Sequence, residues 1–126
     1  MAKDLVQDAY AQIETMREAA TETAKNILIE AMSTDLKAAV TSYNRALQIK
    51  PNFVDAHYNL GNAHKEQGDL NTAIACYQNA LRQKRNFPEA LNNLGFTFQK
   101  LGELTAAITS YRMALRLKPN YPEAYH

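Results

Sequence analysis

Cysteine, glycine and proline are scarce in this chain, and tryptophan is absent. Its 126 residues include one Cys, four Gly and four Pro. A lone thiol, Cys76, excludes an internal disulfide framework and a zinc site built from cysteines alone. So little Gly and Pro excludes a collagen-like or loop-dominated chain. No apolar run approaches the ~18 residues from which a membrane-spanning helix is read. The 14 Lys and Arg nearly balance 13 Asp and Glu, which argues against a nucleic-acid binder acting through its whole length. No Gly-rich phosphate loop, Gly-x-Ser-x-Gly elbow or His-Glu-x-x-His motif is present, so the sequence offers no catalytic chemistry and no cofactor site. The first residues lack the apolar core of a secretory signal, and no Asn-x-Ser/Thr sequon occurs. A cytoplasmic location, with no membrane partner, is the expectation.

What is present is a globular share of apolar residues, 46%, arranged with a long period. Shifted by 34 positions, the chain lies on itself. Asn52, Phe53, Ala56, Asn59, Leu60, Gly61, Gly68, Leu70, Ala73, Ile74, Tyr77, Ala80, Leu81, Arg82 and Lys84 each meet an identical residue, from Asn86 to Lys118. The shift also works backwards as far as Asp35, through Leu36, Ala39, Tyr43, Ala46, Leu47 and Lys50. Downstream, Tyr121-Pro122-Glu123-Ala124 restarts the unit in the manner of Phe87-Pro88-Glu89-Ala90. A fixed period of this size is the signature of a stacked repeat.

Each unit reads as two helices. In the first, Ala56, Leu60, Ala63 and Gln67 follow three-to-four spacing and Gly68 stops it. In the second, Leu70, Ala73, Ile74, Tyr77, Ala80 and Leu81 make an apolar stripe. Asp69 and Glu103 stand near the start of that second helix, and Lys50, Lys84 and Lys118 at its end, as the macrodipole favours. Pro51 and Pro119 block continuation, whereas Pro88 and Pro122 suit a first turn. Gly61 and Gly95 fall inside helices, where Gly costs roughly 1 kcal/mol against Ala. Close helix approach at Gly61/Ala80 and Gly95/Ala114 is the expected reason.

The set His57, Leu60-Gly61, His64, Gly68, Ala73, Tyr77, Ala80, followed by Leu91, Leu94-Gly95, Phe98, Gly102, Ala107, Tyr111, Ala114 and Pro119, resembles the tetratricopeptide repeat (TPR) family. Arg85 stands where the family usually has Pro. The resemblance covers about residues 34–126 and implies an all-α, right-handed solenoid of helix-turn-helix hairpins. In it, first helices line a concave face and end units need a polar cap. The implied organisation is an N-terminal amphipathic or capping helix, 1–33, and an array, 34–126. The array divides into a partial repeat 34–53, repeats 54–87 and 88–121, and the start of a further helix, 122–126.

Residues 2–32 hold no Gly or Pro. Val6, Ala9, Ile13, Met16, Ala20, Ala24, Ile27, Leu28 and Ala31 recur at helical spacing. They read as one long helix, or as two with a break near Thr21–Thr23, ending in a turn at Ser33-Thr34. Residues 1–36 carry a net −4 and the remainder +5. The helix is therefore either a solvated cap or an interaction helix that pairs with a partner or a second copy.

The resemblance places Asn59 and Asn93 on the concave face, one repeat apart, with Asn62 and Asn92 beside them. A carboxamide donates and accepts, so a ladder of them can hold the backbone of an extended peptide. The phrases Tyr58-Asn59-Leu60-Gly61-Asn62 and Asn92-Asn93-Leu94-Gly95 resemble TPR arrays of the O-linked N-acetylglucosamine transferase type, in which such a ladder binds peptides. Solvation or hydrogen bonding within the repeats is the alternative. The implied groove is Tyr58, Asn59, Asn62, Asn92, Asn93 and Phe96, with Phe96 as an apolar anchor. The family's carboxylate clamp is not expected, because Tyr58 and Glu123 occupy its lysine places.

His57 and His64 are seven apart, about 10.5 Å along a helix, too far to share one ion, and packing is expected of both. Cys76 reads as a small packing residue. Arg82, Lys84, Arg85, Arg116 and Lys118 gather at second-helix ends, as charge compensation or as an anionic site. The expected function is a protein-interaction scaffold with a protein or peptide partner. The alternatives are the TPR portion of a larger glycosyltransferase-like enzyme, or a homo-oligomer formed through the N-terminal helix or through an uncapped last hairpin (Leu104, Ile108, Tyr111, Leu115).

Overall fold

A computed structural model describes residues 2–118, with side chains from residue 4 onward. Five helices follow one another: α1 (Ala2–Ile49), α2 (Val54–Gln67), α3 (Leu70–Gln83), α4 (Pro88–Lys100) and α5 (Leu104–Leu117). The described residues contain no strand. Pro119 and the expected restart at 122–126 lie outside the described residues.

The described residues separate into two units, divided between residues 35 and 36. In the first unit, every side chain from Asp4 to Asp35 except Ser33 is exposed. These include Leu5, Tyr10, Met16 and Leu28, each 64% exposed or more. The break considered at Thr21–Thr23 and the turn expected at Ser33-Thr34 are both absent, and α1 runs through them. The physical reason is local. The segment lacks Gly and Pro, and its threonines do not open the helix. Thr15, Thr21 and Thr34 each donate their hydroxyl to the carbonyl four residues back, at 2.9–3.0 Å.

In the second unit, the C-terminal part of α1 carries a half-buried stripe of Leu36, Ala39, Val40, Tyr43, Ala46 and Leu47. Beyond it α2 packs on α3, α4 on α5, and α3 on α4, while α2 and α4 touch more lightly. This is the pattern of two hairpins stacked in sequence order. Each hairpin corner is built alike. Gly68, at φ 84°, donates its N–H to Lys65 and Asp69 donates to His64. Gly102, at φ 80°, repeats this with Gln99, and Glu103 with Phe98. The left-handed conformation at these corners is the one glycine tolerates. Asp69 caps α3 weakly, accepting from the Thr72 N–H at 3.4 Å, whereas Glu103 makes no side-chain cap on α5.

The second hairpin connection repeats as well. Lys50 lies 5.3 Å from the centre of the Phe53 ring, and Lys84 lies 4.7 Å from that of Phe87. These lysines therefore face an aromatic three residues on, besides standing at a helix end. Pro88 occupies the first turn of α4.

The core is built around Tyr77, which is fully buried against Ala73 and Leu94, with Tyr58, Ile74, Leu81 and Phe98 around them. A second cluster joins Leu91 and Ala114 to Leu81, Tyr111 and Leu115. The interior glycines serve these tyrosines rather than Ala80 and Ala114. A Cβ on Gly61 would stand 2.8 Å from the Tyr77 ring, and one on Gly95 would stand 2.9 Å from the Tyr111 ring. Both spacings are shorter than van der Waals contact, so each glycine is the seat of an aromatic ring.

The two seats should differ in cost. Tyr77 is wholly enclosed and has nowhere to move, while Tyr111 is partly exposed. Gly61→Ala is expected to destabilise by about 1–3 kcal/mol, the usual cost of overpacking a core. Gly95→Ala is expected to cost less, because ring movement and better helix propensity offset the clash. Urea denaturation of both variants checks the order. Cys76 is buried, with its thiol pushed up by burial and, secondarily, by the charge of Asp69. Its labelling by a thiol reagent at mildly alkaline pH should be about a hundredfold slower in the folded chain than in denaturant.

Candidate binding face

The first helices of the two hairpins, α2 and α4, bring three of the six expected groove residues together. Asn93 on α4 donates from Nδ2 to the Tyr58 hydroxyl at 3.0 Å and to Asn62 Oδ1 at 3.1 Å, both on α2. The Tyr77 hydroxyl donates to the same Asn62 oxygen at 2.5 Å. Asn62 is thus a double acceptor that joins α2, α3 and α4. Burial, with smaller contributions from Tyr58 and other neighbours, pushes the Tyr77 phenol far above its ordinary range. Tyr77 therefore remains a donor at any working pH. The ring of Tyr58 lies 4.8 Å from that of Phe87 and 6.0 Å from that of Tyr77, both tilted, so the polar rung rests on an aromatic bed.

The other expected residues sit differently. Asn59 is half-buried, and its carboxamide makes no hydrogen bond to the described residues. Asn92 is buried, 7% exposed, and its carboxamide oxygen has no hydrogen-bond partner among them. Phe96 is 40% exposed. It stands one repeat after Asn62, and the change from Asn to Phe removes the acceptor that Tyr77 enjoys. The equivalent Tyr111 hydroxyl donates instead to Gln99 Oε1 at 2.9 Å.

Sequence reasoning missed Lys65 and Lys100. The Lys65 ammonium, on α2, lies 5.5 Å from the Phe96 ring centre, and that of Lys100, on α4, lies 5.2 Å from it. Their spacing to residues already singled out was the available signal. Lys65 follows Asn62 by three and Lys100 follows Phe96 by four, the distances at which side chains share a helix face.

The histidines serve the fold. His57 Nε2 is 2.8 Å from the Pro51 carbonyl oxygen, and His64 Nδ1 is 3.8 Å from Asp69 Oδ2. Among the described residues no group of His, Cys, Asp and Glu could hold a metal ion, and no helix is long and apolar enough to cross a membrane. Arg82 bonds Asn79 and Lys118 pairs with Glu89. Arg85 and Asn86 of the α3–α4 connection, with Met113, Arg116 and Leu117 of α5, line an open hollow of about 230 Å³.

Comparison with known proteins agrees with this architecture. The pattern of the family described as TPR repeat matches residues 35–68 and 64–102, and that of the tetratricopeptide repeat matches 88–121. The chain belongs to the tetratricopeptide repeat family. Among solved structures it is similar to an O-GlcNAc transferase mutant of Thermobaculum terrenum, at 31% identity and a TM-score of 0.68 over 74% of this chain and 18% of that one. It is also similar in fold to YrrB, described as a TPR protein with an unusual peptide-binding site, at 22% identity and a TM-score of 0.68, over 72% of this chain and 47% of that one. The chain thus spans less than half the length of either. No curated protein sequence matches it.

The double role of Asn62 sets the expected response to mutation. Asn62→Ala strands the Tyr77 hydroxyl and leaves the Asn93 amide only its bond to Tyr58, and should cost about 1–3 kcal/mol. Asn92→Leu removes an oxygen that bonds nothing in the fold and should be close to neutral. Denaturant midpoints of the two variants distinguish these outcomes.

Proposed function

We propose that this protein is an interaction scaffold that holds an extended peptide or a partner helix on its α2–α4 face, along Tyr58, Asn59, Asn62, Asn92, Asn93 and Phe96. The observation that carries the reading is the unspent carboxamide of Asn59. It is reachable, bonded to nothing among the described residues, and one turn from the rung of Tyr58, Asn62 and Asn93. A side chain with both a donor and an acceptor suits a peptide backbone, whose N–H and C=O groups need one of each. In this reading Asn93 contributes its free oxygen and the rung keeps it in place. The described peptide-binding site of YrrB is a precedent on the same fold.

Affinity capture with wild type and with Asn59→Ala/Asn93→Ala tests the reading. Partner recovery should fall at least about tenfold, the equivalent of roughly 1.4 kcal/mol, while circular dichroism stays helical. Equal recovery would remove the ladder from the mechanism.

A second reading is that the repeats form the scaffold region of a larger glycosyltransferase-like enzyme. It is favoured by the 31% identity to the O-GlcNAc transferase mutant, of which they match 18%. In that reading the groove presents substrate peptides to chemistry carried elsewhere. Assaying the product of the complete source reading frame for sugar transfer to a peptide separates the two.

A further inference from the structure

The polar rung between α2 and α4 has a neighbour of different chemistry. Asn62 meets Asn93 across the helices, and three residues further on each helix Lys65 meets Phe96. Lys100 approaches the same ring from the next turn of α4. Two ammonium groups therefore flank one exposed ring, and neither has a carboxylate within ion-pair distance among the described residues.

Such an arrangement is not self-sufficient. The two cations repel each other, and a ring quadrupole compensates like charge only weakly. Lys65 is held below the ordinary lysine range, mainly by burial, with Lys100 adding to the shift and Glu66 opposing it. A carboxylate placed between the ammonium groups would relieve both strains and form charge-assisted hydrogen bonds. The exposed ring beside them offers an apolar side chain a surface to cover.

We propose that Phe96, Lys65 and Lys100 form a specificity site for an acidic peptide, seating an aliphatic or aromatic side chain on the ring and the neighbouring Asp or Glu between the two lysines. The proposal rests on the reading of the α2–α4 face as a peptide groove. It adds the chemistry that the carboxamides leave unread, since they can hold any backbone. Charge complementarity selects the occupant: residues 37–126 carry a net +5, and two ammonium groups without a carboxylate partner among the described residues each lie within 5.5 Å of the centre of one exposed ring. The family's terminal-carboxylate clamp is a different constellation, and its lysine places are filled here by Tyr58 and Glu123.

Fluorescence anisotropy on the full chain tests it, with three labelled synthetic peptides of equal length. One alternates Glu with Leu, one has Gln for every Glu, and one has Lys for every Glu. The acidic peptide should bind about tenfold or more tighter than the Gln peptide at low ionic strength, with the gap closing as salt rises. Lys65→Glu/Lys100→Glu should reverse the preference toward the Lys peptide, and Phe96→Ala should weaken the acidic and Gln peptides alike. Both changes are at exposed or half-exposed positions, and circular dichroism verifies folding. Acidic and Gln peptides bound equally, yet lost together in Asn59→Ala/Asn93→Ala, would overturn the inference and leave the groove. Acidic binding untouched by Lys65→Glu/Lys100→Glu would overturn it as well. So would self-association on sedimentation that the same double variant abolishes while no peptide binds, an outcome that assigns the site to a second copy of the chain.

Discussion

The contact on which the stack depends is the seat of the Tyr77 ring on the bare backbone of Gly61. Because Gly61 has no side chain, α2 and α3 close far enough for the ring to be wholly enclosed. The same ring touches the next hairpin through Leu94, and its hydroxyl reaches Asn62. One residue thereby closes its own hairpin, joins it to the following one and fixes the polar rung. A methyl group at position 61 would disturb all three at once. The glycine's unfavourable helix propensity is the local cost of that arrangement.

From this seat follows the difference between the two hairpins. Both carry the Gly–Tyr pair, but only the first offers Asn62 as an acceptor. In the second, Phe96 takes that place and Tyr111 turns to Gln99. The consequence is a face with two chemistries side by side, a row of amides next to an aromatic ring flanked by cations. The amides are engaged in holding the hairpins together as much as they are offered outward. Asn93 spends its NH₂ inside the fold, while the carboxamides of Asn59, half-buried, and Asn92, buried, bond nothing among the described residues.

Much of the fold was legible in the residues. Fifteen identities at a shift of 34 gave the hairpins, and Gly68, Gly102 and Pro88 marked their ends where the structure has them. What stayed hidden depended on side-chain reach. The partner of Gly61 could not be told from spacing, since Ala80 and Tyr77 lie on adjacent turns of one helix and only the ring extends to the glycine. Lys65 and Lys100 were overlooked because a lysine on a helix ordinarily reads as a solvated charge, and nothing in one dimension shows two of them meeting over one ring. The continuity of α1 was misjudged for another reason. Ser33 and Thr34 favour helix caps, yet with no Gly or Pro nearby the helix runs through both, and the Thr34 hydroxyl is satisfied by the Glu30 carbonyl one turn back.

The first 35 residues have a consequence of their own. A helix whose side chains from Asp4 to Met32 are all exposed buries almost nothing that unfolding would release. Its loss of structure therefore contributes little heat capacity and little cooperativity, and follows the gradual statistics of an isolated peptide rather than the sharp transition of a packed domain. Warmth would fray this segment progressively while the hairpins still held, so the chain's helicity and its tertiary order would not share one melting temperature.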